Sequence, residues 1–348
     1  MARTTEGRLA YTNLLRVLAT FAAVIHFVAA TWSHQVQAHS SAWRTLFSYQ
    51  ALTVWCIPMF AMLSGAFLLD PKKSVRLRDI FLKYILRAVI ALIVWGVVYA
   101  LLDCKEFSWP QIKSAFISVL WADSKYHLWF LYIMIGLYLI TPILRAFIKG
   151  ASRGTLHWFF LLVFIFCSLL PVAEVVFPDN IAALFSIWAN KLDLHLILGY
   201  VGYYVAGYYL KNYTLNRVAE FFIYILGIIG IAGTVLGIQK SWSLSILLDE
   251  FSPLVVFISL AVFVLFRYLL GVSDERSRRQ RISGISKITF GIYLLHPLFI
   301  MVLNWLNIST LSFAPIFSVP VLSGSIFFCS FIIAWPLSKI PLIGRYLT

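Results

Sequence analysis

Residues 156–175 read LHWFFLLVFIFCSLLPVAEV, and nine more stretches of the chain are apolar to a similar degree. About 20 such residues in a row suffice to carry an α-helix across the hydrocarbon core of a bilayer. The ten stretches lie at roughly 9–32, 46–69, 80–102, 127–148, 156–175, 194–211, 219–238, 252–271, 286–306 and 318–338. They leave connecting segments too short to fold as domains. A soluble fold is therefore excluded, because no core could bury that much apolar surface. Composition agrees: 61% of the 348 residues are hydrophobic and 12% charged, where soluble domains carry about a quarter charged residues. The sequence predicts an all-α polytopic membrane protein of about ten transmembrane helices, with residues 1–348 forming a single transmembrane domain.

An even number of spans places both termini on one side, and the charges choose the side. With cytoplasmic termini, the inner segments hold 22 of the 28 Lys and Arg and 6 of the 14 acids. That bias is the positive-inside pattern. Two inner loops carry most of it, PKKSVRLRDIFLK at 71–83 and DERSRRQRISGISK at 274–287. The net charge of +14 is thus a matter of topology and calls for no nucleic-acid partner. The first segment reads as a retained span rather than a cleaved signal, since Arg16 interrupts a run already long for a signal core. The four cysteines, Cys56, Cys104, Cys167 and Cys329, form no C-x-x-C pair and suggest neither a metal site nor a disulfide framework.

Ionisable residues inside spans are costly and default to functional candidates. Arg16 and His26 stand ten residues apart in the first helix, about 15 Å along its axis. His127 opens the fourth segment at its outer mouth, followed by the interfacial aromatic Trp129. Arg145 closes that segment and reads as an anchor. His296 lies at or beyond mid-membrane in ITFGIYLLHPLFI, where Pro297 frees a backbone carbonyl that a polar neighbour must satisfy. Lys83 and Arg87 are spaced to share one face of the third helix near the inner surface, where two cations could hold a phosphorylated ligand or simply follow the positive-inside pattern. Ser64-Gly65 reads as a close helix contact. H-E-x-x-H, P-loop and nucleophile-elbow motifs are absent.

The stretches NLLRVLATFAAVIH, PMFAMLSGAFLL, HLWFLYIMIGLYLITPIL and FGIYLLHPLF, in that order, resemble the membrane acyltransferase 3 family. The likeness covers nearly the whole chain. Within the family it looks most like the branch containing the enterobacterial common antigen O-acetyltransferase, which lacks an extracytoplasmic esterase-like domain. The resemblance implies an acyl-CoA donor, most simply acetyl-CoA, reached from the cytoplasm. It implies a glycan or lipid-linked sugar hydroxyl as acceptor, membrane lipid as surroundings, a bacterial inner (plasma) membrane, and no resident cofactor or metal. It makes His26 the general base, with Arg16, Lys83 and Arg87 toward the donor. His127, Trp129 and His296 would then shape the acceptor side, together with Asn13, which stands where the family commonly has an acid. The family spacing from arginine to histidine is usually eleven, which returns to nearly the same helix face. Ten leaves the two about 80° apart. Tyr84 replaces one of the paired basic residues of the third helix. A transporter for a lipid-linked sugar or small metabolite is the alternative, and broken helices or paired halves would favour it.

Overall fold

A computed structural model of the chain describes residues 10–103, 108–120, 127–178, 181–183, 186–187, 194–268 and 281–348. Cys104 and the basic stretch 274–280 lie outside the described residues. The described residues are helical, without strands. In chain order, α1 spans Ala10–Thr31, α2 Ser41–Thr53, α3 Cys56–Leu68 and α4 Leu77–Leu102. Then come α5 Trp109–Leu120, α6 Trp129–Gly150, α7 Arg153–Val176, α8 Leu194–Asn212 and α9 Arg217–Gln239. The last are α10 Pro253–Tyr268, α11 Arg281–Trp305, α12 Pro315–Leu337 and the short α13 Pro341–Tyr346.

Each of the ten expected segments is helical over most of its described residues. Eight spans among the described residues are long and apolar enough to cross a membrane. The segment expected as one helix over 46–69 starts earlier and divides into α2 and α3. The division is slight, because Val54 and Trp55 keep right-handed helical dihedrals. Pro58 lacks the N–H that would bond the Val54 carbonyl, which instead accepts from Ile57 N at 3.1 Å. Helix starts follow ordinary capping: Ser40, Ser152 and Asn216 accept hydrogen bonds from Trp43, Thr155 and Ala219 N–H groups.

α1 is the hub. It packs against α2, α3, α10, α11 and α12, and Ala19, Ala22, Ala23 and Ala29 on it are buried. Small residues let helix backbones approach where lipid offers no hydrophobic drive for association. The closest approach is between α3 and α8. A Cβ at Gly65 would stand 1.8 Å from the Tyr204 carbonyl oxygen, and one at Gly207 would stand 1.8 Å from the Met62 carbonyl oxygen. The packing role read for Ser64-Gly65 is therefore the observed one for the glycine.

The outside of the bundle is apolar. Trp158 and Leu161 on α7, Val218 and Phe221 on α9, and Phe317 and Phe328 on α12 are exposed, as lipid-facing surfaces must be. One end collects the loop after α1 and the loop after α9, joined by the Ser241–His39 side-chain hydrogen bond at 2.9 Å. The other end collects the start of α1, the ends of α3 and α8, and α13. There Arg145 donates to the Leu68, Asp70 and Lys73 carbonyls, and Lys211 donates to Ala66 O at 2.9 Å. These carbonyls have no continuing helix to bond, so two cations cap the end of α3. Arg145 is thus an anchor, as its position suggested. Arg145→Gln is expected to destabilise the protein by about 2 kcal/mol, since hydrogen bonds from charged groups are worth about 1.5–3 each. Thermal unfolding in detergent measures it, and an unshifted melting curve would refute the capping role.

Candidate functional site

A cavity of about 820 Å³ lies at the end of the bundle that holds α13. That size suits a small-molecule or cofactor ligand. Its walls carry five cations: Arg16 from α1, Lys73 from the loop after α3, Arg87 from α4, Lys287 from α11 and Arg345 from α13. Among the described residues, no Asp or Glu side chain lines it. Away from this basic mouth the lining becomes aromatic and aliphatic, with Phe60, Leu63, Phe130, Met134 and Tyr293. Ser64, Tyr84, Tyr138 and Thr289 supply hydroxyls along the wall, and Ser64 and Tyr138 share a hydrogen bond.

Two of the cations are set into the protein with no acidic side chain beside them. Arg87 lies over the Phe290 ring at 4.7 Å and donates from Nη2 to the backbone oxygen of Thr348. Its Nε–H is buried and has no acceptor among the described residues. Neither Arg87 nor Arg16 forms a salt bridge with a side chain among those residues; the two ion pairs found there are Lys83–Asp79 and Lys211–Asp70. A cation drawn into the protein without an acidic side chain beside it is expensive, and an anionic ligand would offset that cost.

Lys83 stands apart from this group. Residues Ile80–Ile85 form a π-turn, which widens the helix there and shifts the facing of its side chains by the extra residue. Lys83 is turned outward, 61% exposed and paired with Asp79 at 2.7 Å. Tyr84 takes the cavity wall together with Arg87. Asn13 is not itself a lining residue; it accepts a hydrogen bond from Ser286 Oγ at 3.0 Å, tying α1 to a residue that is.

The three outer-half histidines separate into a pair and a single. His127 and His296 are both fully buried, with ring centroids 5.5 Å apart. Tyr293 contacts both rings, at 6.1 and 5.6 Å, and its hydroxyl donates to the His127 carbonyl at 2.6 Å. Tyr99 meets the His127 ring edge-on at 5.0 Å. His26 faces α2 instead, where its Nδ1 donates to the Gln50 carbonyl at 3.1 Å, and it is not among the cavity residues. Phe27, eleven residues after Arg16, occupies the face above the arginine and stacks on His296 at 5.2 Å. The ten-residue spacing thus has its geometric consequence: Arg16 and His26 do not line one cavity. Trp129 lies beside this cluster, against Phe130 and Tyr200 at 6.2 and 6.3 Å. Farther out, burial pushes the carboxyls of Asp249 and Glu250, in the loop before α10, above their usual range.

The basic mouth leads to an aromatic interior, where the lining residue Tyr293 touches the buried His127–His296 pair. A family model described as Acyltransferase domain matches residues 9–337. The chain belongs to this acyltransferase family. No curated protein and no solved structure matches it. As a membrane acyltransferase it has a basic-mouthed cavity whose determinants are only partly visible in sequence. Arg16 and Arg87 stand out there. Lys73 and Lys287 are hidden among neighbouring loop cations, and Arg345 sits in a helix too short to show periodicity. Tyr293 carries one signal, its place one turn before His296.

Proposed function

We propose that this acyltransferase moves an acyl group, most simply acetyl, from acyl-CoA bound at the inner face to a hydroxyl of a cell-surface or lipid-linked glycan presented from the outer side of a bacterial plasma membrane. The observation that carries the reading is the five-cation cavity, lined by no acidic side chain among the described residues, two of whose arginines are set into the protein with no salt bridge to one. Coenzyme A brings phosphates to such a mouth, where guanidinium groups bind them by charge-assisted hydrogen bonds. Its slender pantetheine arm is in keeping with the aromatic and aliphatic end of the cavity. The family membership supplies the reaction class, and the resemblance to the common-antigen branch favours an O-acetyl product.

In the transfer, the acceptor oxygen attacks the thioester carbonyl carbon and its proton passes to an imidazole nitrogen. The carbon–sulfur bond breaks, and the thiolate leaves and is protonated by the imidazolium. An ester and free CoA result. The resemblance assigns the proton acceptor to His26.

The test uses inverted membrane vesicles containing the protein, supplied at their outside with acetyl-labelled acetyl-CoA and containing the source cell's lipid-linked glycans. Label is expected in the glycan fraction, removable by mild base as an ester should be. Glycan left unlabelled, with measurable flux of the lipid-linked sugar, would replace this reading by the transporter.

A further inference from the structure

The π-turn of α4 does more than turn Lys83 away. It leaves Tyr84 on the cavity wall, three residues before Arg87 and so about one turn nearer the start of the helix. Tyr84 stands where the resemblance pairs basic residues. A phenol there gives up a charge-assisted contact to phosphate and offers a ring in its place. Its exposed neighbours on the turn, Phe81 and Leu82, do not line the cavity, so they face the surroundings and Tyr84 does not share their role.

Three aromatic rings lie among the cations of this wall, Phe67, Tyr84 and Phe290. Two are already occupied. Phe67 carries Lys73 at 4.9 Å and Lys211 at 4.7 Å, and Phe290 carries Arg87 at 4.7 Å. Over Tyr84 no cation lies among the described residues. Tyr138 meets its ring at 5.6 Å and 52°, a tilted contact rather than a stack, and Tyr84 stays 36% exposed. Its ring therefore has surface left for a ligand, one helix turn from an arginine whose Nε–H has no acceptor among the described residues. A ligand that fits both is a planar base joined to phosphates. Building on the reading of acyl-CoA as donor, we propose that Tyr84 is the platform on which the donor's adenine stacks, while Arg87 and its neighbouring cations hold the phosphates. Every base has a π-face, and stacking on an aromatic side chain is worth enough to replace a lost charge contact. The π-turn is the device that exchanges one for the other: it takes Lys83 off the wall and leaves the ring.

The test is equilibrium binding of CoA to purified protein, wild type against Tyr84→Phe and Tyr84→Leu, with Tyr84→Met in place of the latter should it not accumulate. Tyr84→Leu keeps apolar bulk and loses the π-face. It is expected to weaken CoA binding by about 5- to 150-fold, the range for removing one base–aromatic stack. Tyr84→Phe keeps the ring and should bind within about twofold of wild type, since the stack does not use the hydroxyl. The vesicle assay supplies a second arm, with acetyl-CoA and with acetyl-4′-phosphopantetheine, which has the same reactive arm and no adenosine. Tyr84→Leu should raise KM for acetyl-CoA with kcat unchanged, and should leave kcat/KM for acetyl-4′-phosphopantetheine at its wild-type value. A Tyr84→Leu protein that binds CoA like wild type overturns the proposal. So does a Tyr84→Phe protein as weak as Tyr84→Leu, or an equal loss with both donors. Any of these, with wild type still binding CoA, leaves the acyl-CoA reading standing. Wild-type protein that binds no CoA removes that reading and the stacking role together.

Discussion

Replacing Arg87 by alanine raises the acyl-CoA concentration needed for half-maximal transfer by about 10- to 100-fold, with kcat nearly unchanged. The size reflects the loss of one charge-assisted contact to a donor phosphate, worth about 1.5–3 kcal/mol. The pattern arises because a phosphate far from the reacting carbon is bound equally in the ground and transition states. Arg16→Ala should behave alike, and Lys83→Ala should not, since Lys83 points away from the cavity and pairs with Asp79. Arg87 also holds the Thr348 backbone oxygen and the Phe290 face, so thermal stability is measured alongside. Direct binding of CoA to purified protein checks the result without any acceptor. An Arg87→Ala protein that binds CoA as tightly as wild type would remove the cavity as the donor site.

Gly207→Ala is expected to destabilise the protein by about 3 kcal/mol or more, at or above the upper end of ordinary overpacking. The added methyl would stand 1.8 Å from the Met62 carbonyl oxygen. That is backbone, so no rotamer change relieves it, and the α3–α8 crossing must open. Opening it also strains the Thr141–Tyr204 hydroxyl contact at 2.9 Å, which links α6 to α8. Gly65→Ala meets the Tyr204 carbonyl in the same way. Gly136→Ala on α6 is the control, because a Cβ there meets nothing within 4 Å. The measurement is the fraction of monodisperse protein after detergent extraction and its unfolding temperature. A Gly207→Ala protein as stable as Gly136→Ala would mean the two helices pack less closely than described.

Much of the architecture is legible in sequence because the bilayer imposes a length. Ten apolar runs are found as helices, and their alternation agrees with the shared ends: His39 meets Ser241, and Arg16 meets Arg345 around one cavity. Individual side chains in the site are legible only where helix geometry stays regular. Arg87 lies in the cavity, but its partner by spacing, Lys83, is turned away by a π-turn that no apolar pattern announces. His127 and His296 each stand out alone, and nothing in the sequence says that they meet, since 169 positions separate them and contact between helices is set by packing. The spacing of ten from Arg16 does warn that His26 and the arginine face different ways, and Phe27 stands where the eleventh residue must.

Pro297 is not alone among the helix prolines in having its vacancy filled. Pro320 leaves the Ile316 carbonyl of α12 open, and the Tyr49 hydroxyl of α2 donates to it at 2.9 Å, as His296 does for the carbonyl freed by Pro297. Each proline and its hydroxyl or imidazole therefore form one inherited unit, although Pro320 and Tyr49 are far apart in sequence. Losing the side chain alone strands a carbonyl in a medium without water, at a cost of about 1–3 kcal/mol. Losing the proline alone leaves two donors for one acceptor. Losing both restores an ordinary helix turn. Substitutions at these positions should accordingly be epistatic, tolerated together more readily than singly, and the order in which they arise decides which intermediates survive.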